Sequence, residues 1–177
     1  PEFERIRTGL AYSCGQIIGR IHDIDLDCGG LFDQLKFVST EQYVQQTWNT
    51  YKDLRTPQPM LDYTAHWLLQ NIPDLDTPRL VHNDFRNGNI MVSPEHGVVA
   101  VLDWELAHKG DPIRDLGWIC TNSWRFGVPE LPVGGFGKRE DLLAGYKEST
   151  GRTVSSEHLK FWEVFGSFWW GCSSLAM

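Results

Sequence analysis

The stretch LVHNDFRNGNIMVSPEHGVVAVLDWE, Leu80 to Glu105, decides the fold. Two apolar, β-branched runs, NIMVS and VVAVLD, flank PEHG, whose residues suit a turn, so the pattern predicts an antiparallel hairpin. A turn centred on His96 pairs positions 89–93 with 99–103 and sets Asn89 opposite Asp103. Facing residues in such a pair have Cα atoms about 4.5–5.5 Å apart, close enough for an amide oxygen and a carboxylate to share one cation. Mg²⁺ fits that pair, because it binds hard oxygens at about 2.0–2.1 Å and keeps sites for water and phosphate. Asp84, five residues before Asn89, lies in the loop leading to the hairpin's open end. A carboxylate beside a metal, not needed as a ligand, can accept the proton of an attacking hydroxyl. Phosphoryl transfer uses that combination.

Composition narrows the class. The 177 residues are 41% hydrophobic, enough for one core, and are read as a single domain, 1–177. A net charge of −7 argues against nucleic-acid binding, which needs a basic face. It would suit a cationic acceptor and is equally an ordinary soluble surface. Cys14, Cys28, Cys120 and Cys172 form no CxxC and are read as reduced thiols of a cytoplasmic protein. The start, PEFERIRTGL, shows no signal-peptide pattern and no Met. The end, VFGSFWWGCSSLAM, is apolar but too short for the roughly 20 residues of a membrane span. It is read as a core helix, and truncation at both ends is expected.

Helical spacing predicts a helix from Phe3 to about Asp23, although Gly9, Gly15 and Gly19 weaken it. Further helices are expected after Ser39 or Thr40, across TPQPMLDYTAHWLLQ, and over REDLLAGYKEST up to Gly151. Another opens at Ser155 or Ser156. Asp111 and Pro112 read as the N-cap and first position of a helix in GDPIRDLGWICTNSW. Arg79 to His82 is short and extended, and a polar loop follows Asp103. The fold class is therefore mostly α with a short central β-hairpin. GGFGK at 134–138 fails the P-loop pattern at Pro132 and Arg139. His22, beside Asp23 near a helix end, is read as a satisfied pair rather than a metal ligand.

HNDFRNGN matches H-x-D-x-x-x-x-N, the catalytic-loop pattern of the protein-kinase-like fold. With LDWE and GDPIRDL following in order, the chain resembles the aminoglycoside phosphotransferase and choline kinase superfamily. Within it, the likeness is to a subgroup of small-molecule kinases, some fused to acyl-CoA dehydrogenase-like domains. GRIHDID and GFGKREDLLAGYKESTGR extend the resemblance over most of the chain. It implies the C-terminal, helical lobe of the protein-kinase-like α+β fold, with the N-terminal nucleotide-binding lobe of the same polypeptide absent from this chain. It also implies that Asp84 is the catalytic base and that Asn89 and Asp103 hold Mg²⁺. His82 would brace the loop and Asp115 anchor it, with Glu105 and Asp111 in supporting positions. ATP, or GTP, would donate its γ-phosphoryl group to a hydroxyl of an unidentified small molecule. Trp48 and Trp67 are read first as packing residues, although the resemblance puts their helices beside the acceptor.

No nucleic-acid or membrane partner is expected, and the isolated lobe is expected to be inactive. Trp104-Glu105 stands where protein kinases have Phe-Gly, which argues against a mobile activation segment. Two other functions compete. A pseudokinase-like binding module would keep the fold and lose the chemistry. A metal-dependent phosphohydrolase would turn the same residues on water, although two-metal phosphatases usually gather more carboxylates and histidines.

Overall fold

The computed structural model describes residues 2–27 and 30–177. Helices make up most of it: α1 Glu2–His22, α2 Leu31–Gln34, α3 Thr40–Asp53, α4 Pro59–Gln70, α5 Ile113–Ile119, α6 Arg139–Thr150 and α7 Ser156–Ala176. Four short strands sit in the middle of the chain: β1 Arg79–Val81, β2 Ile90–Ser93, β3 Gly97–Val101 and β4 His108–Gly110. The mostly helical class with a small central β element is the one expected from the sequence. No helix among the described residues is long and apolar enough to cross a membrane.

The start signals work as local chemistry predicts. Ser39 forms a capping box with Gln42, accepting its amide at 3.2 Å and donating its own amide to the Gln42 side chain at 3.1 Å. Ser155 accepts the His158 amide at 3.1 Å, and Gly151 ends α6 at φ 72°. Such caps contribute about 1 kcal/mol each. Packing is larger, since each buried Leu, Ile or Phe contributes roughly 1.5–3 kcal/mol. Ile18, Leu116, Leu142, Phe161 and Phe165 are all buried in one cluster drawn from α1, α5, α6 and α7. That cluster is the platform for the loops above it.

The glycines that weaken α1 as a helix are explained by this packing. A Cβ on Gly15 would stand 2.0 Å from the Leu142 carbonyl oxygen of α6, and one on Gly145 would stand 2.1 Å from that of Tyr12. The two helices approach through glycine on both sides, so the propensity penalty of about 1 kcal/mol is exchanged for close contact.

Two readings of the hairpin are corrected. Ile90 pairs with Val101 and Met91 with Ala100; after an irregularity, Val92 pairs with Val98 and Ser93 with Gly97. The expected register was one residue out. Leu102, not Asp103, takes the place opposite Asn89, and its amide donates to the Asn89 carbonyl at 2.8 Å. Asp103 follows in the left-handed region at φ 67°, where the strand has ended. The second correction concerns the polar loop after Asp103. It contains β4, which pairs antiparallel with β1, Val81 against His108. Lys109 also exchanges backbone bonds with Lys36 and Val38. Three polar or small residues, HKG, carry no strand pattern, so this pair exists only through its partners.

Candidate active site

The loop between β1 and β2 is held from below by one carboxylate. Asp115, fully buried one turn inside α5, accepts the His82 amide at 2.8 Å through Oδ2 and the Asn83 amide at 2.7 Å through Oδ1. His22 adds a third contact at 3.2 Å, and Tyr146 meets the other ring nitrogen of His22 at 3.1 Å. His22 is therefore a satisfied core residue at the end of α1. Burial by itself would raise the Asp115 carboxyl, but His22 and the backbone amide of His82 outweigh it and hold the group below its ordinary 3.8. Asn83 adopts φ 71°, a conformation Asn tolerates better than most residues, and its amide nitrogen reaches the Tyr43 hydroxyl.

His82 connects the loop to the hairpin. Its Nδ1 accepts the Asp84 amide at 3.2 Å, while Nε2 meets the Leu102 carbonyl at 2.9 Å. A neutral ring protonated on Nε2 satisfies both. Trp104 packs edge-on against that ring, 4.6 Å between centroids, and donates its own indole N–H to the Val101 carbonyl at 2.9 Å. Leu102 is thus bonded on both sides, to Asn89 through its amide and to His82 through its carbonyl, and Asp103 is the next residue.

Asp84 and Asn89 meet directly. The Asn89 side-chain nitrogen donates to Asp84 Oδ2 at 2.6 Å and to the Asp84 carbonyl at 2.9 Å. The indole N–H of Trp118 donates to Asp84 Oδ1 at 2.7 Å, and Arg86 Nε reaches both oxygens at 3.1 and 3.2 Å. Trp118 stands three residues after Asp115 on α5, so one helix face carries both supports. The spacing Asp-x-x-Trp was the available signal for this contact, and the sequence reading overlooked it.

The remaining candidates fall in different surroundings. Asp103 and Glu105 are exposed, and neither side chain has a protein partner among the described residues. Asp111 is buried but looks toward α5 and α7. It caps α5 through the Ile113 amide at 3.0 Å and accepts from His158 at 2.5 Å and Trp162 at 2.8 Å. Trp48 and Trp67 sit apart from Asp84: Trp48 donates to Asp62 at 3.1 Å, and Trp67 stacks on Phe161 at 6.4 Å. The tryptophans near Asp84 are Trp118, Trp124, Trp169 and Trp170, which line a cavity of about 340 Å³ with it. Cys14, Cys120 and Cys172 are free and buried, and burial pushes the Cys14 thiol up to about 12; Cys28 lies outside the described residues.

Known proteins share the sequence and the fold of this chain. A mouse protein named acyl-CoA dehydrogenase family member 10 is 35% identical over 127 residues, covering 68% of this chain and 12% of its own length. A chicken protein named acyl-CoA dehydrogenase family member 11 is 34% identical over 184 residues, covering 95% of this chain and 23% of its own length. Among solved structures, a Ralstonia eutropha protein assigned to the aminoglycoside phosphotransferases superposes with a TM-score of 0.77 at 27% identity, over 99% of this chain and 56% of that one. An aminoglycoside-3'-phosphotransferase of type VIII shares the fold, with a TM-score of 0.68 at 19% identity over 95% of this chain and 62% of that one. The chain thus spans a quarter or less of these curated relatives and somewhat over half of these solved structures. The model of the phosphotransferase enzyme family, APH, matches residues 1–150, and the chain belongs to that family.

Proposed function

We infer that this lobe is the acceptor-side half of a cytoplasmic small-molecule kinase that moves the γ-phosphoryl group of ATP, or GTP, to a hydroxyl. The observation that carries the reading is the setting of Asp84. Its carboxylate is 15% exposed, beside a cavity, and is fixed by Trp118, Asn89 and Arg86. Each Asp84 oxygen has two donor contacts, one of them the Arg86 Nε shared between the two oxygens, so an acceptor hydroxyl would take the place of that shared contact. These donors also fix the direction of the carboxylate. That suits phosphoryl transfer, whose loose transition state needs the nucleophile aligned more than deprotonated early. Asp84 therefore orients the hydroxyl and takes its proton late, while Asp115 and His82 keep the loop in place.

Residues for a divalent cation fit as well. The Asn89 side-chain nitrogen is committed to Asp84, which leaves its oxygen with no protein donor among the described residues. The Asp103 carboxylate is exposed and also without one. An amide oxygen and a carboxylate are the hard donors that Mg²⁺ prefers. When bound with the nucleotide, Mg²⁺ would neutralise phosphate charge. Asn89 and Asp103 would hold it, Asn89 tying it to the Asp84 loop. Glu105 is a supporting candidate one turn on. Asp111 supports the site through the position of α5. The nucleotide's own lobe is assigned to the polypeptide outside residues 1–177, so residues 1–177 alone should turn over poorly.

The test uses the full-length protein and a panel of hydroxyl-bearing metabolites, with nucleoside diphosphate formation as the readout. Asp84→Asn should lower turnover roughly 10²- to 10⁴-fold, the usual size of a positioned acid–base group. Equal turnover by both proteins would remove Asp84 from the chemistry and the reading with it.

A further inference from the structure

The cavity beside Asp84 has an unusual wall. Arg114 is 2% exposed, Asn83 4% and Trp124 7%, and all three line it. Each carries a buried polar atom without a hydrogen-bond partner among the described residues: Nε and Nη1 of Arg114, Oδ1 of Asn83 and Nε1 of Trp124. Buried polar groups are nearly always paired, so three orphaned side chains around one space need a reason.

Arg114 is the decisive one. Its guanidinium lies 4.4 Å from the Trp118 ring centroid, 5.1 Å from that of Phe165 and 5.6 Å from that of Trp162. Aromatic faces soften the loss of water from a cation but do not replace a hydrogen-bonded anion. No ion pair to Arg114 occurs among the described residues, whereas Arg86, the other arginine lining the cavity, is paired with Asp84 at 3.1 Å. Asp84 is therefore already paired, and Arg114 has no ion pair of its own among the described residues. Burial pushes its pKa down, against the opposite pull of Tyr43, Asp115 and Asp84. The cavity is locally cationic in a chain whose net charge is −7.

Asp84 and Arg114 are joined by one indole. Trp118 gives its N–H to Asp84 and its face to Arg114. A ligand with its hydroxyl at Asp84 therefore has Arg114 within a short chain's reach, with tryptophan on the walls between. We propose that Arg114 selects the acceptor, which is a hydroxylated anion: a hydroxyl for Asp84, a short apolar body against Trp118 and Trp124, and a carboxylate or phosphate on Arg114. The proposal rests on the phosphotransfer reading, because it names that reaction's acceptor. Overall charge would suit a cationic acceptor and is equally an ordinary soluble surface, and it is the local wall, not the distant surface, that meets the ligand.

Three probes built on six carbons separate the possibilities: 6-hydroxyhexanoate, 6-hydroxyhexyl phosphate and 1,6-hexanediol. Binding to the full-length protein without nucleotide is followed by tryptophan fluorescence and calorimetry. One or both anions should bind roughly tenfold to a hundredfold more tightly than the diol, the size of a hydrogen bond to a charged group. The stronger of the two identifies the anion. Arg114→Met should abolish the preference and raise the melting temperature, because an apolar side chain relieves an unpaired buried charge. A purely structural arginine would give a lower melting temperature instead. If Arg114→Met does not fold, Arg114→Gln must lose the preference. Equal affinity for all three probes, binding of none at millimolar concentration, or a preference surviving these substitutions would overturn the proposal. Asp84→Asn should keep the preference, so failure of the phosphotransfer reading and failure of the anion site give different results.

Discussion

Asp84 and Asp103 lie on either side of one hairpin and are treated in opposite ways. Asp84 has donors from Trp118, Arg86 and Asn89, in a loop whose backbone is bonded to Asp115 and His82. Asp103 is exposed, turns through a left-handed φ of 67° and has no protein partner among the described residues. One is fixed before any ligand arrives. The other is positioned only through its neighbour Leu102, bonded to Asn89 at 2.8 Å and to His82 at 2.9 Å. A carboxylate that aligns a nucleophile has to be rigid, and one that receives a cation has to be left available. The two settings match those two tasks.

That contrast can be broken at its base, and the largest effect is expected there. Asp115→Ala should destabilise the fold by roughly 3–5 kcal/mol, because His22 and two loop amides lose a buried partner together. Chemical denaturation would show it, and a loss under 1 kcal/mol would mean that the loop is held by something else. The acid limb carries the same signature. Asp115 has a folded pKa below its ordinary 3.8, so its contribution is complete above that value. It shrinks as pH falls from there and is gone below the folded value. Asp115→Asn should flatten that part of the stability curve.

A smaller change sharpens the comparison from the Asp84 side. Trp118→Phe removes the 2.7 Å indole bond and keeps most of the wall. Stability should fall by about 1.5 kcal/mol, the low end for a bond to a charged acceptor. Turnover of the full-length protein should fall about tenfold, equivalent to ~1.4 kcal/mol of misalignment. Unchanged turnover would show that Asn89 and Arg86 suffice to aim the carboxylate.

The smallest structural effect belongs to Asp103. Asp103→Ala should alter stability by no more than about 0.5 kcal/mol, as for an exposed, unpartnered side chain. It should nevertheless abolish the response of turnover to added Mg²⁺. A large loss of stability with normal Mg²⁺ dependence would reverse the roles given to the two carboxylates.

Much of this was legible in the chain. Ser39 with Gln42, Ser155, and Gly151 after a polar helix end are local signals, and each sets a helix boundary by bonds within a few residues. The order HNDFRNGN, LDWE, GDPIRDL pointed to the family for a related reason: the loop's reacting groups are close in sequence. What failed were the terms that depend on partners. The turn centres on Glu95 rather than His96, and the irregularity between Met91 and Val92 makes up only one of the two residues of slip; HKG became a strand only because Val81 and Leu80 lie beside it. Trp48 and Trp67 were read first as packing residues, and the tryptophans that line the cavity beside Asp84 are Trp118, Trp124, Trp169 and Trp170.

The sequence by itself determined the helices, the hairpin's existence and the family motif, because periodicity, caps and a compact motif are local properties. Only the tertiary structure decided which carboxylate is held, which has no partner among the described residues, and that Arg114 lies buried without an ion pair among them. Those are matters of burial and pairing between elements distant along the chain, which a net charge of −7 does not reveal.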